Sequence, residues 1–176
     1  MHLLAATPGV VSDGSEAVDL GQTPGDIVVL SAADSEIAAL AAAQDTQLSS
    51  SPDAPSLRLA NLMHLGHNMS VDLYLDSVID NAKLVVVRLL GGRGYWPYGV
   101  EQITARCRAR MIPLAWLPGD DQPDAELTGL STIQPDAAHR LWQYCVHGGP
   151  GNAVSFLQFA ATLVGRETAW REPAPL

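Results

Sequence analysis

The chain has 176 residues, the length of one ordinary domain, and its 47% apolar and 16% charged residues exclude an intrinsically disordered chain. Nineteen acidic against ten basic side chains give a formal net charge of -9, which excludes a general attraction to nucleic acid or to an anionic membrane surface. No run approaches the roughly 18 uninterrupted apolar residues of a membrane span, and the apolar start lacks the basic leader of a signal peptide.

The two cysteines, Cys107 and Cys145, each lie in a helical pattern with apolar neighbours. This setting predicts buried reduced thiols rather than a disulfide. We therefore expect a soluble protein of the reducing cytoplasm.

Short apolar runs of strand length alternate with helical patterns along the chain. The five predicted strands span residues 3–6, 26–30, 57–62, 83–90 and 112–117. Most of these runs are continuous rather than alternating, which is typical of a parallel sheet covered on both faces. We therefore predict an α/β fold with a doubly wound, mainly parallel five-stranded sheet in the flavodoxin-like order 2-1-3-4-5.

The predicted helices lie between and after these strands, at residues 35–44, 70–81, 98–110, 135–146 and 151–165. Asp34 is the expected cap of the first helix, and an amphipathic stripe supports the second. We expect an irregular connection before residue 25 and an exposed loop over residues 44–56. The α/β domain is predicted to span residues 1–165 with two extra C-terminal helices, and residues 166–176 to begin a linker to missing downstream domains.

Ligands of open α/β sheets bind beyond the carboxyl ends of the strands, so the segments that follow the predicted strands are candidate sites. In one of them, Gly91 and Gly92 would let backbone amides approach a ligand, and Tyr95 and Trp96 would offer flat surfaces to a planar macrocycle. The alternative is a strand-to-helix turn with the aromatic rings packed beneath it. We expect both aromatic residues at the carboxyl edge of the sheet, facing a ligand or a neighbouring domain.

Two histidines, His64 and His67, follow the third predicted strand. Either could ligate a metal or titrate near neutral pH, but a zinc site needs three or four ligands and no third is visible nearby. Hydrogen-bonded loop or capping histidines are the alternative, and Asn68 or Ser70 would also serve as a helix cap.

Several kinds of active site are absent from the sequence. It contains no Walker lysine motif, no dinucleotide turn, no Gly-x-Ser-x-Gly elbow and no HExxH helix. Asp120 and Asp121 follow Pro118-Gly119 and are predicted to form a turn rather than an acid/base pair. The residues therefore predict a ligand-binding or interaction domain without catalytic residues.

Three long runs carry a resemblance to a known family: LANLMHLGHNMSVDLY at 59–74, VRLLGG at 87–92 and YWPYG at 95–99. Together with Asp13-Gly14, residues 26–36 and the His147-Gly148-Gly149 turn before Asn152, they resemble the N-terminal region of the cobaltochelatase large subunit. The resemblance covers nearly the whole chain, and the family is similar in plan to the large subunit of magnesium chelatase. Its members are far longer than this chain.

The resemblance implies a part of a ligase of aerobic cobalamin biosynthesis that inserts cobalt into hydrogenobyrinic acid a,c-diamide. Separate AAA+ partner subunits would hydrolyse ATP, so this chain alone would bind no cofactor and would not be active. The ligand-binding candidates are His64, His67, Arg88, Gly91, Gly92, Tyr95 and Trp96, and we predict neither catalytic nor metal-ligating residues. The alternative function is a stand-alone, flavodoxin-like module that binds a small ligand, which a native stop codon after Leu176 would favour.

Overall fold

A computed structural model describes residues 16–176. Its sheet consists of four parallel strands, β1 Ile27–Ser31, β2 Leu57–Asn61, β3 Leu84–Leu89 and β4 Leu114–Pro118. Nearly every residue of these strands is buried, as their continuous apolar runs predict for a sheet covered on both faces. Four predicted strands are thus confirmed, and the fifth, at residues 3–6, lies outside the described residues.

The order of the described strands is β2-β1-β3-β4, so this sheet has four strands rather than the predicted five. The order follows the flavodoxin-like pattern, but the strand in the first position of that pattern is Ile27–Ser31 and not residues 3–6. The prediction placed the strand at 26–30 on the edge of the sheet and the strand at 57–62 inside it. In the structure the corresponding β1 lies inside the described sheet and β2 lies at its edge. Both strands read as short apolar runs, so the sequence does not reveal which is central; in the structure the half-buried Arg58 distinguishes the edge strand.

Helices cover both faces of this sheet. Their bounds are α1 Asp34–Ser50, α2 Asn68–Ser77, α3 Pro97–Ala109, α4 Ala125–Thr128, α5 Pro135–His147 and α6 Pro150–Thr162. Short 3₁₀ helices span Leu62–Leu65, Ile79–Asn81 and Arg93–Tyr95. Helices α2 and α3 pack together on one face, and α6 packs against both α1 and α5 on the other. Among the described helices, none combines the length and the apolar character that crossing a membrane requires.

Helix α1 continues to Ser50, through half of the segment that we predicted as an exposed loop. Its cap also differs from the prediction, because Asp34 accepts a hydrogen bond from Asn61 instead of capping the helix. The extension is stabilised by Gln44 and Gln47, which are buried although polar. Gln44 Nε2 donates to the carbonyl of Pro55 at 3.0 Å, a tertiary contact that sequence periodicity does not show.

Alternation along β3 separates the two layers of the core. Val85, Val87 and Leu89 point to the α2–α3 face, whereas Leu84 and Val86 point to the face covered by α1, α5 and α6. By the same alternation Arg88 points to the α1–α5–α6 face, at a position where an apolar residue is expected.

The described residues after α6 form no helix or strand, yet they return across α5 and α6. Asn152 Nδ2 donates to the carbonyl of Ala174 at 2.7 Å and Asn152 Oδ1 accepts from its amide at 3.1 Å. Tyr144 donates to the carbonyl of Arg171, and Glu172 pairs with Arg140. The segment predicted to begin a linker therefore packs on the domain.

Candidate functional site

The segments that follow the four strands meet at one edge of the sheet, because parallel strands end on the same side. The chain leaves β1 towards β2 on one side and returns past β1 to β3 on the other. The switch point therefore lies between the carboxyl ends of β1 and β3, where open α/β sheets form their binding crevices. All the predicted ligand-binding residues lie on this edge or in the turns that follow it.

The glycine turn after β3 has a backbone conformation that favours glycine. Gly91 and Gly92 have φ values of 90° and 74°, a region that side chains disfavour. A Cβ on Gly91 would lie 3.1 Å from the Cβ of Tyr95, so the turn folds closely onto the tyrosine. Tyr95 itself projects into solvent and is 60% exposed.

Trp96 differs from its neighbour, because it is only 7% exposed and belongs to the core. Its indole Nε1 donates to the carbonyl of Leu65 at 3.0 Å, which joins the glycine turn to the loop after β2. The ring also lies against Gly99, where an added Cβ would stand 2.0 Å from a ring atom. Contrary to the expectation for both aromatic residues, Trp96 offers no free face to a ligand, because closure of the turn buries its ring.

The two histidines lie in the loop after β2. His67 is the N-cap of α2 and its Nδ1 accepts from the amide of Met69 at 3.0 Å, which confirms the capping alternative for this residue. His64 is half-buried in the 3₁₀ helix that follows β2. Within residues 16–176, no three His, Cys, Asp or Glu side chains are grouped to hold a metal ion.

Arg88 makes contacts with three different segments at the switch point. Its Nη1 donates to Glu36 of α1, its Nε donates to the carbonyl of Pro118 at 2.9 Å, and its Nη2 lies 3.4 Å from the carbonyl of Asp120. The side chains of the ion pair are only 10% and 14% exposed. Arg88 therefore connects β3 to α1 and to the turn after β4.

Glu36 is a site residue that the sequence analysis did not identify. The signal available in the sequence was Arg88, since a cation inside an apolar strand needs an anionic partner. Many acidic residues of the chain could fill that role, and Glu36 lies 52 positions away. Only the packing of α1 over the sheet selects it.

A crevice of about 330 Å³ lies between α1, β3, α5 and α6, with Glu36 and Arg88 in its wall. Leu40, Ala153 and Phe156 supply apolar lining. The wall also includes the thiol of Cys145, whose pKa is raised by burial and by the nearby Glu36 carboxylate, so the thiol is protonated.

The turn after β4 contains Asp120 and Asp121, and here the prediction is confirmed. Asp120 Oδ1 accepts from the amide of Gln122 at 3.1 Å, which is the hydrogen bond of an aspartate turn. Trp142 Nε1 donates to the carbonyl of Asp120 at 2.8 Å and holds the turn on α5.

Four large apolar side chains are exposed along this edge. Met63 and Met69 flank the histidine loop, and Leu90 and Tyr95 belong to the glycine turn; each is between 48% and 60% exposed. The two loops are joined by the hydrogen bond between Trp96 and Leu65. We refer to these four residues as the apolar edge.

Comparison with known proteins gives two close relatives in sequence. The chain is 47% identical over 175 residues to the aerobic cobaltochelatase subunit CobN of a Sinorhizobium species, covering 99% of this chain and 13% of that protein. It is 44% identical over 179 residues to the protein of the same name from Pseudomonas aeruginosa, covering the whole chain and 14% of that protein. The chain thus spans about one seventh of the length of these relatives. No protein-family model matches it.

Among solved structures, the catalytic subunit of cobaltochelatase from Mycobacterium tuberculosis is similar, with a TM-score of 0.67 and 24% identity. The match covers 86% of this chain and 11% of that subunit, and it supports the fold. The two sequence relatives confirm the resemblance to the cobaltochelatase large subunit.

Proposed function

We propose, from the premise that this chain corresponds to a segment of the cobaltochelatase large subunit, that it forms a non-catalytic domain of that subunit. The parent enzyme would insert cobalt into hydrogenobyrinic acid a,c-diamide in the cytoplasm, as a ligase of cobalamin biosynthesis. AAA+ partner subunits would supply ATP hydrolysis, and the tetrapyrrole site would lie mostly in other domains.

The apolar edge is the observation on which this role rests. Isolated exposed apolar side chains are ordinary, but a concentration of them commonly marks a surface that another protein covers. Here Met63, Met69, Leu90 and Tyr95 lie on one edge of the sheet. The relatives are about seven times as long as this chain, so most of the subunit lies outside it. We therefore assign the apolar edge to contact with another domain of the same subunit.

A charged residue introduced into the apolar edge should slow cobalt insertion by the parent enzyme without unfolding the domain. The test places Leu90→Glu in the full-length subunit and measures cobalt insertion in the presence of ATP and the partner subunits. Burying an unpaired carboxylate at a domain contact should lower the rate roughly tenfold or more. The isolated chain with the same change should lose no more than about 0.5 kcal/mol of its free energy of unfolding.

Met111→Glu is the matched control, because Met111 is also an exposed apolar residue but lies at the opposite edge of the sheet, before β4. It should leave cobalt insertion unchanged. Equal rates for the two variants would contradict the assignment of the apolar edge. Turnover by the 176-residue chain in place of the subunit would contradict the non-catalytic role.

The second function kept from the sequence, binding of a small ligand, is supported by the crevice at Glu36 and Arg88. The two functions are compatible, because the crevice and the apolar edge use different side chains.

A further inference from the structure

The crevice between α1, β3, α5 and α6 has a polar and an apolar part. Glu36, Arg88 and Cys145 lie in its polar part, and Leu40, Phe156 and neighbouring alanines supply the apolar part. Its volume of about 330 Å³ is that of a small-molecule site. It also lies at the switch point of the sheet, where ligands of this architecture bind.

The buried side-chain nitrogen and oxygen atoms in the crevice wall are paired, with one exception. Each of the three guanidinium nitrogens of Arg88 has an acceptor, and the amide of Asn152 contacts Gly148 and Ala174. Tyr144 donates its hydroxyl proton to Arg171. Within the part of the chain that the structure describes, Glu36 Oε1 is the one buried side-chain oxygen or nitrogen without a hydrogen-bond partner of good geometry. The Cys145 thiol also interacts with this carboxylate, but a thiol is a weak donor that an N–H or O–H group can replace.

An unpaired buried carboxylate oxygen costs stability unless a donor reaches it. The donor need not be a cation, since Arg88 already balances the charge of Glu36. A cation brought into the crevice would lose its hydration without a free counter-charge, whereas a neutral N–H or O–H loses much less.

We propose that this crevice binds a small neutral molecule that donates one N–H or O–H to Glu36 Oε1 and rests an apolar body against Leu40 and Phe156. The binding does not depend on the role of the chain within the chelatase subunit. It requires only the Glu36–Arg88 pair and the space beside it.

The test uses benzamide and N,N-dimethylbenzamide, which share a ring and a carbonyl but differ in their N–H groups. Titration of the isotopically labelled 176-residue chain, followed by NMR, gives the affinity of each probe from the amide signals of Ala153 and Gly149. We expect benzamide to bind about tenfold more tightly, the ratio that a hydrogen bond to a charged acceptor supports. Benzylammonium should bind no more tightly than benzamide.

Glu36→Gln tests the assignment of the oxygen. Arg88 should hold the carbonyl of the new glutamine, so its amide group would replace Oε1 and offer a donor instead of an acceptor. The preference for benzamide should then fall to about twofold or less, with the amide spectrum showing that the fold is intact. Ala39→Leu, which fills the crevice without replacing either member of the pair, should weaken both probes.

Any one of several results would overturn the proposal. They are equal affinity of the two benzamides for the unmodified chain, an unchanged preference in Glu36→Gln, and signal changes confined to residues away from the crevice. Binding of neither probe would also overturn it.

Discussion

The two faces of the sheet are built differently. On the α2–α3 face, polar groups within the core are matched: Tyr74 donates to Gln22 at 2.8 Å, and Trp116 Nε1 donates to Thr104 at 3.0 Å. The α1–α5–α6 face contains the Glu36–Arg88 pair, an unpaired carboxylate oxygen and a crevice.

Stability alone does not require the features of the second face. Replacing a buried ion pair by apolar side chains is often neutral or stabilising, and filling a cavity is usually favourable. The α2–α3 face is therefore organised for packing, whereas the α1–α5–α6 face retains polar groups that packing alone does not explain. This difference predicts where substitutions will damage the fold and where they will mainly alter recognition.

The largest expected effect is on the α2–α3 face, at Trp96. Trp96→Ala should lower the free energy of unfolding by about 3–5 kcal/mol, because it empties a core position and removes the hydrogen bond to Leu65. Denaturant unfolding of the 176-residue chain measures the change.

Tyr95→Ala is the control in the same turn, and it should cost less than about 1 kcal/mol because its ring is exposed. Similar losses for the two variants would show that the turn does not separate a core residue from a surface residue.

A smaller effect is expected for Arg88→Ala on the crevice face. Removing the guanidinium leaves the Glu36 carboxylate largely buried without its cation, at a cost of about 2–4 kcal/mol. The same unfolding experiment applies. The free energy of unfolding should be largely restored in Glu36→Leu/Arg88→Met, where an apolar pair replaces the ionic one.

The exposed pair of Arg93 and Glu126, with its closest atoms 3.9 Å apart, supplies the comparison. Arg93→Ala should change stability by less than about 0.5 kcal/mol. If Arg88→Ala were equally mild, the pair on the crevice face would behave as a surface pair.

The last expected effect, which is small until the pH rises well above about 8.5, is a pH dependence from Cys107 on the α2–α3 face. Burial raises the pKa of this thiol to about 12, and the nearby Asp80 carboxylate contributes in the same direction. An unfolded thiol titrates near 8.5, so above that pH the unfolded chain loses its proton first. This contribution to stability is complete below about pH 8.5 and declines by up to about 1.4 kcal/mol per pH unit until pH 12.

Unfolding curves between pH 8 and 11 for the unmodified chain and for Cys107→Ala isolate this contribution, because the other titrating groups are common to both. The difference in free energy between the two proteins should shrink as the pH rises. A constant difference would mean that Cys107 titrates as it does in the unfolded chain.

Local patterns were sufficient for much of the fold. Continuous apolar runs predicted the four described strands, and an apolar stripe that includes Val71, Tyr74 and Leu75 predicted the buried side of α2. The helix ends at Ser77, whereas the stripe predicted it to continue to residue 81. The glycines at 91 and 92 indicated a strand-to-helix turn as one of two alternatives, and the structure shows that turn with positive φ values at both. The long motifs also carried the resemblance that the sequence relatives confirm. Each of these depends on neighbouring residues or on residue identity alone.

Other features depended on segments distant in the chain. β1 lies inside the sheet because it pairs with both β2 and β3. The periodicity and the hydropathy of a strand do not specify its partners. Trp96 and Tyr95 are adjacent aromatic residues, yet only the approach of Leu65 and Gly99 decides which ring is buried. Glu36 meets Arg88 because α1 crosses the carboxyl edge of β3. Sequence periodicity reports which side of an element is apolar, whereas contacts between elements decide which polar groups meet.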